Sequence, residues 1–374
     1  MSNWKLEKST IAIDETNHAQ YQIHIYDLIP DKIDENVPTI YIQANVHGAE
    51  LQGNMAIFKL LNLLEDEEIH ARIRMIPNAN PYATSVKMGT YTYGRFNPIT
   101  GDNWNRMYLN LFAQKEGQGF ISEEEIKACE NKQAYKELLK NKFSEYRSYH
   151  KAYGIDENKQ LFITLQELAS DADIVLDLHT AGVGCRYIYG PDYLKEKMAD
   201  FNFPFHLVIP PEFGGAMDEA CFFPWVKFHE VHQSQNAFES YTLELGSEEV
   251  IDSKAGQIDA INIYNYLVKR GVIASDQINT KENTQYFCEL KNYKGFFSPS
   301  AGFIEYHKAP GEKFKKGEKI MSVYHFDKLE SLEEVISPII APCDGIVINH
   351  APSSNVKRGM SILEAFTNFT LKES

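Results

Sequence analysis

Ala44-Asn45-Val46-His47-Gly48-Ala49-Glu50 stands between the apolar run Thr39-Ile40-Tyr41-Ile42 and a helical stretch from Leu51 to Leu64. The pattern reads as a buried strand that ends in a loop and turns into a helix, with His47 and Glu50 on the loop. In an open α/β sheet, ligand sites gather outside the carboxyl ends of strands. Gly48 relaxes the turn, so a histidine and a carboxylate three residues apart can point at one metal ion. Zinc accepts that mixture of nitrogen and oxygen and needs a third protein ligand. His179, in Asp177-Leu178-His179 at the end of another apolar run, is the candidate.

Outward from this stretch, strand and helix patterns alternate. Ile11 and Ile13, then Tyr21, Ile23 and Ile25, alternate with polar residues around Glu15-Thr16-Asn17-His18, which predicts an edge hairpin. Further strands are predicted over 39–45, 72–76, 174–178, 205–209 and 240–245. Apolar stripes predict helices through Leu60, Leu61 and Leu64, through Leu161, Phe162, Leu165 and Leu168, and through Ile258, Ile261, Tyr264 and Leu267. The charged segment 123–153 reads as a helical, solvated surface excursion. Segment 82–112, after two prolines, is irregular, and long loops inside compact domains are usually functional. The fold class is therefore α/β: a mixed sheet with helices on both faces, spanning 1–274.

After a polar linker, 275–285, the pattern changes to short β runs punctuated by Gly and Pro. Ser300-Ala301-Gly302-Phe303-Ile304 leads to Lys315-Lys316-Gly317-Glu318-Lys319-Ile320, and Cys343-Asp344-Gly345-Ile346-Val347 leads to Lys357-Arg358-Gly359-Met360-Ser361-Ile362. These two similar halves resemble the small all-β sandwich of biotinyl and lipoyl carrier domains over 286–374. Carriers modify a lysine on a tight hairpin, and Lys328 falls near that place. Segment 329–335 looks like an inserted loop there, which favours a structural or gating sandwich over a modified carrier.

Composition narrows the function. With 374 residues and 43% hydrophobic content, the chain can bury a large core and an accessory unit. A net charge of −15 argues against nucleic acid, which needs a basic face, but not against a small anionic substrate. No apolar run approaches a membrane span, and Met1 to Lys8 lacks the apolar core of a secretory signal. The five cysteines are scattered, which suits free thiols in a reducing, cytoplasmic setting. The sequence leaves oligomeric state open, and a homo-oligomer is compatible with it.

A histidine beside a loop is more often an ordinary polar residue, and most arginines are solvated surface charge. Other features shift the balance here. Glu244 is a carboxylate inside the otherwise apolar run Tyr241-Thr242-Leu243-Glu244-Leu245, costly to bury without a partner or a task. Arg95 and Asn105-Arg106 cluster in the long irregular segment.

In order, His47-Gly48-Ala49-Glu50, Asn80-Pro81, Arg95, Asn105-Arg106, Asp177-Leu178-His179 and Glu244-Leu245-Gly246 resemble the motifs of the succinylglutamate desuccinylase/aspartoacylase group, relatives of the zinc carboxypeptidases. The resemblance covers roughly 38–272 and implies a zinc carboxypeptidase-like fold with one Zn2+ per chain. It implies that His47, Glu50 and His179 hold the metal and that Glu244 is the general base. It also implies that Arg95 stabilises the oxyanion and that Asn105 and Arg106 grip a substrate carboxylate. Relatives commonly carry an aspartate where this chain has Asn103. Asp177 either orients His179 or only caps the strand end. Arg186 and Tyr187 follow the His179 segment and are expected to line the pocket, Arg186 as a substrate-binding residue.

The functional expectation is a zinc-dependent amidohydrolase acting on an N-acylated amino acid or similar small amide. The alternatives are a zinc carboxypeptidase acting on short peptides and a binding protein that kept the fold without turnover.

Overall fold

The structure is a computed structural model that describes residues 2–16, 19–32 and 37–372. Among these a ten-stranded sheet runs through the molecule. Its order is Trp4–Thr16, Ala19–Pro30, Arg72–Ile76, Thr39–Ala44, Ile174–Ala181, Glu239–Ser247, Arg186–Pro191, Phe205–Ile209, Gln285–Glu289 and Thr370–Lys372. The strands from Arg72–Ile76 to Glu239–Ser247 are parallel, Arg186–Pro191 runs against Glu239–Ser247, and both outer edges end in antiparallel pairs. The edge hairpin forms as expected, with Ile11 opposite Ile23. Its turn, Asn17 and His18, lies outside the described residues.

Alternation along the strands sends successive residues to two separate cores. Ile40, Ile42, Leu176, Leu178, Leu243 and Leu245 face the helices Gln52–Leu64 and Ser253–Lys269. Tyr41, Val175, Tyr187 and Leu207 face Lys132–Lys151, Glu157–Ala169 and Met217–Val231. Helices thus cover both faces, and the architecture matches the carboxypeptidase-like α/β class expected from the sequence.

Three readings change. Segment 123–153 is not a solvated excursion. Helix Lys132–Lys151 buries Tyr135, Leu139, Phe143 and Tyr146 on one stripe against the core, while its charged residues lie off that stripe, exposed or half-buried. The His179 strand does not end at Leu178. It runs to Ala181 because Glu239–Ser247 keeps pairing alongside, Glu244 with His179 and Ser247 with Ala181 across a bulge. Finally, Gln285–Glu289, placed by sequence at the linker end and the start of the sandwich, extends the large sheet beside Phe205–Ile209.

Beyond it come two smaller antiparallel sheets. One contains Tyr293–Phe297, Ser361–Phe366, Gly345–His350 and Lys313–Phe314; the other contains Ile336–Ile340, Lys319–Tyr324, Gly302–Tyr306 and Asn355–Val356. They enclose a third core around Ile304, Phe314, Val323, Val347 and Leu363. Both repeated halves of the sequence supply strands to it. Lys328 sits on an eleven-residue connection, 325–335, its ammonium 3.3 Å from Glu334 and not on a tight turn. The sandwich is pressed onto the larger unit. Ile346, Ile348 and Phe366 join the main core, and Val183–Gly184 pairs with His350 and Asn349.

Candidate metal centre

Two local devices aim His47 and Glu50 inward. Asn45 adopts a left-handed conformation (φ 62°), which asparagine tolerates better than most residues. Its side-chain amide donates to the carbonyls of His47 (3.3 Å) and Glu50 (2.9 Å), closing the turn. Gly48 is required by contact and not by φ: a Cβ there would lie 2.3 Å from the Ala83 carbonyl oxygen. Ala83 belongs to the short helix Pro81–Ser85, capped by Asn80, whose amide also donates to the Val46 carbonyl (2.9 Å). The Asn80-Pro81 motif therefore buttresses the histidine turn.

Ligand atoms of His47, Glu50 and His179 lie within 4.8 Å of one another, and all three residues are buried. Nδ1 of His47 is 2.8 Å from one Glu50 carboxylate oxygen, and Nδ1 of His179 is 2.8 Å from the other. The far ring nitrogens face acceptors. Nε2 of His47 is 3.1 Å from Oδ1 of Asn103, an oxygen identified by the Asn105 N–H it also accepts (2.8 Å). Nε2 of His179 is 2.7 Å from Oδ2 of Asp177. The tautomer with a proton on each Nε2 turns both Nδ1 lone pairs towards the carboxylate, an arrangement that calls for a cation, a further proton or a metal ion, between them. Two imidazoles and one carboxylate are a donor set that suits zinc.

The charges respond to this crowding. Burial pushes the His47 imidazole down, against the pull of Glu50. Burial also opposes protonation of His179, but Asp177 and Glu50 hold it well above the usual histidine range. Burial works to raise Glu50, and the two imidazoles outweigh it, holding the carboxyl well below its usual range. Asp177 is itself held. Gln43 donates to its other oxygen (2.8 Å), and Tyr41 donates to Gln43 (2.7 Å). Of the two readings of Asp177, orientation of His179 is the one this network supports.

Glu244 lies beside His179 in register and is 6% exposed. Among the described residues its Oε2 has no hydrogen-bond partner. Burial, then the charge of Glu50, pushes its carboxyl up to about 7, against His179 and Arg95. Arg95 reaches the same place from the irregular segment. Its Nε is 3.5 Å from Glu50, and its Nη2 donates to the Thr180 carbonyl (3.3 Å). The Glu249 carboxylate steadies that segment by accepting the Thr92 N–H (2.6 Å). Asn105 is buried, with Nδ2 3.2 Å from Nε2 of His179 and Oδ1 accepting the Met217 N–H (3.0 Å). Arg106 is exposed, and among the described residues it makes no ion pair; its Nη1 donates to the Asn105 carbonyl (2.6 Å).

Arg186 departs from its expected place. Neighbours on a strand point to opposite faces. Tyr187 pairs with Glu244 and shares its face, so Arg186 turns to the other side, where it meets the buried Asp259 at 2.5 and 3.1 Å. That ion pair removes it from the carboxylate-binding set. Sequence reasoning missed Thr180, whose N–H donates to Glu50 (3.0 Å), and Tyr189, which repeats Tyr187 two residues on. It also missed Glu364 of the sandwich, whose charge reaches Glu244. The alternation in Arg186–Pro191 could have flagged Tyr189; nothing local flags Glu364.

A second buried carboxyl, Asp218, has its pKa pushed up to about 7, mainly by burial and then by Glu219 and Asp177. A carboxyl raised in the folded state costs stability progressively as pH climbs from its unfolded value near 4 to its folded value. We expect Asp218→Asn to raise Tm little at pH 4.5 and by several degrees at pH 8. A Tm gap that fails to widen over that range refutes the assignment.

Residues 36–269 match the family model described as the succinylglutamate desuccinylase/aspartoacylase catalytic domain. A succinylglutamate desuccinylase/aspartoacylase family protein from Shewanella amazonensis SB2B is 36% identical, with a TM-score of 0.86 over 98% of this chain and 100% of that one. One from Shewanella frigidimarina NCIMB 400 is 35% identical, with a TM-score of 0.88 over 98% and 99%. A succinylglutamate desuccinylase/aspartoacylase from Rhodobacter sphaeroides, 17% identical over 96% and 95%, shares the fold at a TM-score of 0.65. Comparison with curated proteins finds no match. Among the described residues no helix is long and apolar enough to cross a membrane. The family match over most of the chain, together with these relatives, places the protein: it belongs to the succinylglutamate desuccinylase/aspartoacylase family, hydrolases that deacylate small N-acyl amino acids.

Proposed function

We propose that this chain is a zinc-dependent amidohydrolase that removes the acyl group from an N-acylated amino acid or a similar small carboxylate-bearing amide. One observation carries the reading: Glu244 is a buried carboxylate with an unpartnered oxygen, in register with a member of the metal cluster. A divalent ion held by His47, Glu50 and His179 supplies Lewis acidity and lowers the pKa of a water towards about 7. Glu244 takes the proton of the attacking water and returns it to the leaving nitrogen. Its carboxyl, pushed up to about 7, matches a base that works near neutral pH. The Arg95 guanidinium stabilises the oxyanion of the tetrahedral intermediate, and Asn105 with the fork of Arg106 binds the substrate carboxylate.

In this reading residues 1–274 carry the chemistry, and the unit beyond the 275–285 linker narrows the approach to it. The pairing of Val183–Gly184 with the sandwich, directly after the His179 strand, favours a small amide over a peptide that needs an open cleft. The test is steady-state hydrolysis by the zinc-loaded protein of N-acetyl and N-succinyl amino acids beside short peptides with free amino termini. Turnover of the acyl amino acids is expected, and cleavage of peptides alone overturns the proposal.

A further inference from the structure

The sandwich brings a polar wall to the Glu244 side of the centre. The Tyr293 hydroxyl donates to Oε2 of Glu364 at 2.5 Å, and Asn349 Nδ2 donates to the same oxygen at 2.7 Å. Asn349 also lies 2.9 Å from the Tyr293 hydroxyl. From the large sheet, Tyr187 lies close to Tyr293, and its hydroxyl accepts from that of Tyr189 at 3.3 Å. Tyr187 is the strand partner of Glu244, so this chain of phenols begins beside the unpartnered carboxylate.

A carboxylate can only accept, so Tyr293 donates to Glu364, and Tyr189 donates to Tyr187. Burial and the nearby charges of Glu244 and Glu364 keep the Tyr189 phenol protonated throughout the ordinary pH range. The phenolic protons of Tyr293 and Tyr189 are thus engaged within the wall. What remains for a ligand is the lone pairs of Tyr189 and the second oxygen of Glu364, which among the described residues has no protein donor. The cations nearby do not offset this. Arg95 lies against Glu50, and Arg186 is neutralised by Asp259 on the other face. Arg106 alone is without an acidic partner among the described residues, enough for one substrate carboxylate.

We propose that the wall formed by Tyr187, Tyr189, Tyr293, Asn349 and Glu364 determines specificity. It accepts, at the end of the substrate away from its clamped carboxylate, a neutral or cationic hydrogen-bond donor (amide, hydroxyl or ammonium) and rejects a second carboxylate. The proposal rests on the deacylase reading above and narrows it: monoanionic or zwitterionic N-acyl amino acids are substrates, and dicarboxylic ones are poor.

The experiment uses the zinc-loaded full chain and three substrates of similar shape: Nα-acetylglutamate, Nα-acetylglutamine and Nα-acetylornithine. For the wild type, kcat/KM for the ornithine and glutamine compounds should exceed that for the glutamate compound by at least about tenfold, since like-charge juxtaposition is what such a site punishes. Glu364→Gln should shrink the ornithine-to-glutamate ratio by about tenfold, chiefly through KM, with metal content unchanged. Tyr189→Phe, which leaves Glu364 in place, should lower kcat/KM for the glutamine compound about fivefold or more. A wild type that prefers the glutamate compound overturns the proposal. So does a folded Glu364→Gln variant with the wild-type ratio. If no acyl amino acid turns over, the deacylase reading fails. The wall is then judged by calorimetric affinity for the same three compounds, where equal binding of the glutamate and ornithine forms overturns it.

Discussion

Glu244→Gln is expected to lower kcat by at least about a thousandfold, while the protein keeps its metal and its fold. The amide fills the same space and cannot take a proton from water. Nothing in the metal cluster depends on Glu244: both Nδ1 atoms and both Glu50 oxygens find their partners without it. Metal content by atomic absorption should therefore stay at one equivalent. The melting temperature should not fall either. A buried carboxylate oxygen without a protein donor is destabilising, and the substitution removes that charge. Near-wild-type kcat in a metal-replete variant would take Glu244 out of the mechanism. Lost metal would instead mean that it is a ligand.

His179→Ala should abolish both metal retention and turnover, because a single imidazole and one carboxylate do not make a tight site. Asp177→Asn is the graded counterpart. It keeps the ring and weakens its anchor, and loss of such a partner costs about 10–100-fold in metal affinity. Removing the ion with a chelator should mimic the alanine variant, and added zinc should restore activity. Thermal melts provide an independent readout. Stripped protein loses an ion that binds the folded site and not the unfolded chain, so its Tm should drop and recover on reloading. Full activity after stripping, with metal content verified as nil, contradicts the proposed chemistry.

Much of this was readable beforehand because it rests on short-range physics. Strands 72–76 and 205–209 came out to the residue, each stopped by a proline, Pro77 and Pro210. His47 and Glu50 share one turn, so their convergence needed only local geometry. His179 and Glu244 lie far apart in the chain, and their motifs could suggest but not demonstrate that they meet; the parallel register of two strands brings them together. Arg186 was misread because sequence order was used where strand alternation decides. Helix Lys132–Lys151 was misread because its charged residues outnumber the four that pack. Glu364 was invisible because its relevance depends on how one sheet sits on another, which no local pattern encodes.

The outermost strand of the large sheet, Thr370–Lys372, comes from the chain's last stretch and pairs with Gln285–Glu289. The sandwich is therefore a loop-out between two neighbouring strands, fastened on both sides like a bracelet clasp, and not a bead on a string. Clipping the protein after residue 275 would strip two strands and bare the backbone of Phe205–Ile209 as a raw, sticky border. A trimmed version should precipitate sooner than report on the chemistry of the remaining half.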